Sequence, residues 1–211
     1  MSPRTKSADA VTPTRQRLID AALPLFAKHG YERTTVGEIE VEAGLVPRSG
    51  GLYNHFPSKR ALLGAALAQR MDAIDALDER MELLPLGDLG AELTLIGRLA
   101  LAELESQREL AQIVIREGDR FPEFATDFHD ALVARGRSVA INWLQMRSQE
   151  LGLAIPDPEA TGEMLADALV GRALKGFMFG DRLGVVDRDR YLAAWVDATK
   201  AVLSTDQKES R

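Results

Sequence analysis

The chain contains no cysteine, so disulfides and thiolate chemistry are excluded, and a reducing cytoplasm is the simplest expected location. Its three histidines, His29, His55 and His129, are far apart, and with no thiol beside them a metal centre is not expected. The paired-histidine helix motif, the nucleophile elbow and the phosphate-cradling glycine loop are all missing, so neither catalysis nor a bound cofactor is expected. Long hydrophobic runs are missing too. The stretch Met164–Phe179 is interrupted by Asp167, Arg172 and Lys175, which rules it out as a membrane span. Arg4 and Lys6 have no apolar run behind them, so the first residues read as a flexible tail rather than a signal peptide. Alternating β-branched segments and repeats of solenoid length are likewise absent.

What is present suits a helical protein with a real core. The 211 residues are 45% hydrophobic and 27% charged, with a net charge of −6. The charge is unevenly spread. Residues 1–70 hold ten Lys/Arg against six Asp/Glu, whereas the rest holds sixteen against twenty-six. A basic head on an acidic body is the electrostatic footprint of a local nucleic-acid contact.

Helical periodicity runs through almost the whole chain. Leu18, Ala21, Ala22, Leu25 and Phe26 mark an amphipathic helix that starts after Thr12-Pro13-Thr14 and stops at Gly30. Pro24 inside it lacks a backbone donor and is expected to kink or shorten it. Thr35 and Glu38 form a capping box leading Val36, Ile39 and Ala43, and Gly44 supplies a turn. Beyond Pro47 a short helix should carry Leu52 and Phe56 inward, before Pro57-Ser58 caps a long helix from Lys59 to about Leu83. After the break at Pro85-Leu86-Gly87, further helical runs are expected near 88–107, 107–118, 121–151, 157–183 and 188–204, with Asp206–Arg211 frayed. The expected fold is all-α, with about nine helices. A three-helix helix-turn-helix domain (residues 12–60) precedes a larger helical domain (residues 61–205).

Residues 14–63 resemble the N-terminal domain of the TetR family of transcriptional regulators. The likeness rests on Ala21-Ala22-Leu23, Leu25-Phe26, Gly30-Tyr31, Thr34-Thr35-Val36, Ile39, Ala43-Gly44, Gly50-Gly51-Leu52-Tyr53-Asn54-His55-Phe56 and Ser58-Lys59. The turn from Gly44 to Leu52 is longer than the family's commonest version, which leaves the start of the reading helix open. The resemblance implies double-stranded DNA as a partner, contacted by Thr34, Thr35, Arg48, Ser49, Gly50, Gly51, Tyr53, Asn54, His55 and Lys59. Arg48 suits guanine O6 and N7. Thr35 at a helix N-cap and Lys59 in a first helical turn suit phosphate. Gly50 and Gly51 would let the reading segment press close to the DNA backbone, and Tyr53, Asn54 and His55 offer polar contacts. Glu38, Glu40 and Glu42 oppose this, and at least two of them must point away from phosphates. A helical protein-interaction module without DNA binding is the alternative.

The larger domain is implied to bind a small, largely apolar effector and to dimerise. Met71, Ile113, Phe121, Phe124 and Phe128, with Trp143, Met146, Met164 and Met178, are the expected pocket residues, because aromatic rings and adaptable thioethers suit such a molecule. Arg116, Glu117 and Asp119 are candidate polar anchors. Leu169, Gly176, Phe177 and Gly180, then Tyr191, Trp195 and Thr199, are the expected dimerisation residues of the last two helices. A dimer would read a near-palindrome with half-sites about 34–36 Å apart. Repression released by the effector is the expected mode of action.

Overall fold

The structure is a computed structural model and describes residues 13–72, 87–152, 155, 157–180 and 186–204. Among these, all regular structure is helical: nine α-helices, one 3-10 turn and one π-helical turn. The chain divides into two units at Arg70/Met71, ten residues beyond the expected border.

In the first unit, α1 (Pro13–His29) begins with proline, where the missing N–H costs nothing. Lys28 and His29 lie in its last turn, against the negative end of the helix dipole. Gly30 takes φ 81 to end it. Pro24 sits on the exposed face and the helix runs on past it, so the expected shortening does not occur. Leu18, Ala22 and Phe26 form one fully buried helical stripe, and Ile39 of α2 (Val36–Glu42) and Leu62 and Leu63 of α3 (Lys59–Asp72) are fully buried as well. Ser58 Oγ accepts the Ala61 N–H at 3.0 Å and so caps α3. The expected continuation of α3 toward Leu83 lies outside the described residues.

The second unit comprises α4 (Leu89–Ser106), α5 (Arg108–Glu117), α6 (Pro122–Phe128), α7 (Arg135–Leu151), α8 (Pro158–Phe179) and α9 (Arg188–Ser204). Asp88 and Asp157 cap α4 and α8 through the N–H groups of Ala91 and Ala160. The expected single run 121–151 is one helical path interrupted by a π turn at His129–Ala134. Leu93, Leu101, Trp143, Leu144, Leu165 and Trp195 are among the residues of its shared core.

Two glycines set the helix spacing in this core. A Cβ on Gly97 of α4 would collide with Leu192 of α9, and one on Gly162 of α8 would lie 3.0 Å from the Ile141 Cα of α7. Because the second obstacle is backbone, Gly162→Ala is expected to destabilise the unit by about 1–3 kcal/mol, the usual cost of overpacking. An unchanged denaturant midpoint would refute the close-approach argument.

The expected dimerisation residues are mostly spent inside the unit. Leu169, Phe177, Trp195 and Thr199 are buried. Trp195 Nε1 donates to the Leu165 carbonyl at 3.1 Å, and Thr199 Oγ1 donates to the Trp195 carbonyl at 2.7 Å. The Tyr191 hydroxyl donates to the Ala168 carbonyl at 2.6 Å, and burial pushes its phenol above the ordinary 10.0, so it remains a donor at neutral pH. These are intrachain clasps between α8 and α9, because a large side chain on the inner stripe of a helix fills its own core first. The outer faces carry other residues: Met164, Met178 and Phe179 on α8, and Ala194, Ala198 and Val202 on α9 are exposed.

Candidate nucleic-acid interface and effector cavity

The segment between α2 and α3 is suspended from one side chain. Glu40 is completely buried, its Oε2 accepting the Arg48 N–H at 2.7 Å and its Oε1 accepting the Leu52 N–H at 3.1 Å. Hydrogen bonds to an ionised carboxylate are stronger than neutral ones, so this group serves as an internal anchor. Arg48 is held at φ 60 and Gly50 at φ 76, both in the left-handed region. A regular helix cannot pass through two such residues, and the expected reading helix is reduced to one 3-10 turn, Leu52–Asn54. Leu52 and Phe56 are nevertheless buried, as their spacing requires.

Around this anchor the outward residues form one small surface. Pro47, Arg48, Ser49, Tyr53 and Asn54 are exposed, and His55 is half-buried. Tyr53 keeps 58% of its surface in solvent, so its ring is not core. Gly50 faces open space, whereas Gly51 faces inward: a Cβ there would lie 3.2 Å from Leu45 Cδ1 and 3.6 Å from Glu40 Oε1. The absent side chain at Gly51 therefore makes room for the anchor and not for DNA.

Three other expected contacts are committed elsewhere. Thr34 is buried and its hydroxyl donates to the Gly30 carbonyl at 2.8 Å, which removes it from the surface. Lys59 Nζ donates to the carbonyls of Tyr31 and Thr34 at 2.7 and 2.9 Å and lies 4.2 Å from the Tyr31 ring centroid. It braces the α1–α2 loop against α3 through two charge-assisted hydrogen bonds. Thr35 caps α2, but its hydroxyl donates to Glu38 Oε2 at 2.8 Å, so the carboxylate occupies the place proposed for phosphate. The backbone and hydroxyl bonds from Thr35 hold the Glu38 carboxyl below its ordinary 4.5. A lowered folded value means the cap is complete above 4.5 and is lost as pH falls through the lower value. Of the three carboxylates on α2, Glu38 and Glu40 are thus turned to structural use. Glu40 is the residue that sequence reasoning missed; the signal was a lone acidic residue on the Ile39/Ala43 side of an otherwise amphipathic helix.

The second unit holds a half-open cavity of about 100 Å³ walled by α4, the π turn, α7, α8 and Trp195 of α9. Leu93, Ile96 and Ala100 face it from α4, and Ala140 and Trp143 from α7. The π turn contributes Ala131, Leu132 and Val133, and such turns are frequent at functional sites. Only Trp143 of the expected pocket residues lines it. Met146, Met164 and Met178 are exposed, Ile113 and Phe121 are buried apart from it, and Phe124 packs its ring on Phe121. Phe128 packs against the core, and the Met71 side chain lies outside the described residues. The reason is geometric. Large side chains fill space, while a hollow forms where small ones face each other, here Ala100, Ala140 and Ala166. Arg116 and the half-buried Glu117 end α5 and the exposed Asp119 lies in the turn after it, none of them lining the cavity, and His129 pairs with Asp130 in solvent at 2.9 Å. No group of three or more His, Asp or Glu is placed to hold a metal, and no helix is long and apolar enough to cross a membrane, among the described residues.

An all-helical chain with a helix-turn-helix head and a hollow helical body is the architecture of a one-component DNA-binding regulator. Residues 18–66 match the bacterial regulatory proteins of the TetR family, and residues 91–201 match the AefR-like transcriptional repressor C-terminal domain. The chain belongs to the TetR family of DNA-binding transcriptional repressors. It is 24% identical over 183 residues to the uncharacterized helix-turn-helix regulator YvkB of Bacillus subtilis, covering 85% of this chain and 92% of that one. A TetR-family regulator structure from Mesorhizobium loti superposes with TM-score 0.67 at 22% identity, over 96% of this chain and 98% of that chain. The Bacillus subtilis regulator FadR, solved in complex with stearoyl-CoA, superposes with TM-score 0.61 at 19% identity, over 90% and 97% of the two chains.

Proposed function

We propose that this chain is a homodimeric repressor that reads a near-palindromic operator and leaves it when a small, largely apolar molecule enters the cavity of the second unit. The observation that carries the DNA-reading part is the surface suspended from Glu40. There an arginine fork, a hydroxyl, a phenol and a carboxamide are all exposed, within the segment that the family resemblance assigns to DNA reading. Arg48, Ser49, Tyr53, Asn54 and His55 are the contacts retained in this reading. The exposed apolar residues on the outer faces of α8 and α9 (Met164, Phe179, Ala198 and Val202) are the proposed dimer contact. Support for an apolar effector is the mostly apolar lining of the cavity, in which Glu103, Arg135 and Arg137 are the charged residues, together with the stearoyl-CoA held by a FadR of the same fold.

Operators selected from a random duplex pool with the full chain provide the test. Six to ten phosphate contacts by a dimer should lower affinity by about 10³–10⁵ between 50 and 200 mM salt. A flat response would favour the protein-interaction alternative. On the selected site, Arg48→Ala is expected to cost about 1–3 kcal/mol and to relax preference at one position in each half-site. Equal loss on every sequence would reassign Arg48 to phosphate.

A further inference from the structure

A second hollow of the same unit shares none of its lining residues with the apolar cavity. It lies beside the last turns of α8, is partly open, and measures about 160 Å³. Three arginines from three helices line it: Arg108 of α5, Arg172 of α8 and Arg188 of α9. Glu105 of α4 is the one carboxylate among its described lining residues, and it pairs with Arg188 at 3.2 Å. Asp187, next to Arg188, turns its Oδ1 to the Arg190 N–H at 2.9 Å. The other partners of the three arginines, among the described residues, are neutral. Arg108 donates to the Gly176 carbonyl at 3.3 Å, and its guanidinium lies 5.0 Å from the Phe177 ring centroid. Arg172 donates to the Val186 carbonyl at 3.1 Å, and Arg188 also donates to the Arg98 carbonyl at 3.2 Å. Carbonyls satisfy N–H groups without cancelling a charge, so three arginines against one carboxylate leave a surplus of two positive charges around the hollow. The backbone does not relieve it at two of the three. Arg108 and Arg188 are the first residues of α5 and α9, the positive ends of those dipoles, where an anion is favoured and a cation is not. Arg172 and Arg188 are half-buried, and partly buried charges are screened less by salt.

We infer that this hollow is an anion site, separate from the effector cavity and from the DNA-reading surface, that takes a phosphate group between Arg108, Arg172 and Arg188. The charge selects the class. A phosphate group carries about −1.5 to −2 at neutral pH and offsets the surplus, whereas one carboxylate would offset only half of it. The donors agree, because guanidinium forks match phosphate oxygens with paired N–H groups. The space is adequate too: about 160 Å³ is close to the roughly 150 Å³ of a cavity that holds benzene, so a phosphate with a small organic body can enter. Either free inorganic phosphate or a small phosphate monoester supplies this chemistry.

The probes are inorganic phosphate, phenyl phosphate and benzoate, titrated by calorimetry into the full chain at constant ionic strength. Saturable binding of a phosphate probe is expected, with benzoate at least about ten-fold weaker, the worth of the lost charge-assisted hydrogen bonds. Inorganic phosphate binding more tightly than phenyl phosphate assigns the free ion; the reverse assigns a monoester. Arg108→Gln is expected to weaken phosphate about ten-fold or more. Arg108 is exposed and makes a single long bond to a carbonyl, so this variant should keep its fold. Glu105→Gln, which removes the competing carboxylate, is expected to tighten phosphate several-fold. No saturable binding, benzoate as tight as the phosphate probes, indifference to Arg108→Gln, or weaker binding in Glu105→Gln would each overturn the inference. Loss of the phosphate heat in Arg48→Ala would also overturn it, by placing the ion on the DNA-reading surface.

Discussion

Glu40→Ala is expected to weaken operator binding about 10²-fold while leaving most of the helical signal in place. The substitution removes the common acceptor of the Arg48 and Leu52 N–H groups, and each donor left unsatisfied costs about 1–3 kcal/mol. The residue at φ 60 makes matters worse, because a non-glycine persists in the left-handed region only where its surroundings impose it. Without the anchor, Arg48 relaxes to an ordinary backbone conformation and its side chain leaves the reading position. A turn that must be reordered on DNA at about 3 kcal/mol loses about 10² in affinity. Glu40→Gln should recover only part, because its amide supplies one acceptor and presents an N–H to the second donor. Fluorescence anisotropy on the selected operator, with circular dichroism alongside, measures both quantities. Operator affinity like that of the parent chain would show that the carboxylate does not organise the reading surface.

The largest effect on the stability of the second unit is expected at Arg147. The residue is 6% exposed, and its guanidinium donates to Glu92 Oε1 at 2.8 Å and also pairs with Glu150. Glu92 is completely buried and also accepts the Gly87 N–H at 3.2 Å. Arg147→Met would leave a buried carboxylate without its guanidinium, and breaking such a pair from one side costs about 3–5 kcal/mol. Replacing both partners by apolar residues of similar size, Glu92→Leu with Arg147→Met, is expected to be near neutral, since the desolvation of both charges is also removed. A denaturation double-mutant cycle separates these cases. Additive losses in the double variant would mean that the two charges do not depend on each other.

Features that depend on neighbouring residues were legible before any coordinates. The Thr35–Glu38 capping box, the glycine stops at Gly30 and Gly44, and the inward Leu52 and Phe56 all follow from spacing, because a cap or turn needs only a few adjacent residues. Lys59 was misread because its partners, the carbonyls of Tyr31 and Thr34, lie some 28 and 25 positions away, and nothing in the local pattern marks a carbonyl as waiting for an ammonium. The pocket was misread for a related reason. Aromatic and thioether residues announce apolar surface, but a vacancy is a property of facing helices, made here by alanines that look unremarkable along the chain. The last two helices were placed correctly while their buried and outward faces were confused, since Trp195 and Leu169 fit an intrachain core as well as a subunit contact.

Periodicity, capping and glycine placement were enough to specify the all-helical fold, because each arises from interactions within a few turns of one helix, and the resemblance of residues 14–63 supplied the family. Folding in three dimensions was needed to assign Glu40 as the anchor, to take Thr34 out of the interface, and to leave a hollow beside Trp143. Those outcomes depend on which distant groups meet once desolvated, and a buried donor finds its acceptor, or lacks one, only after the helices have packed.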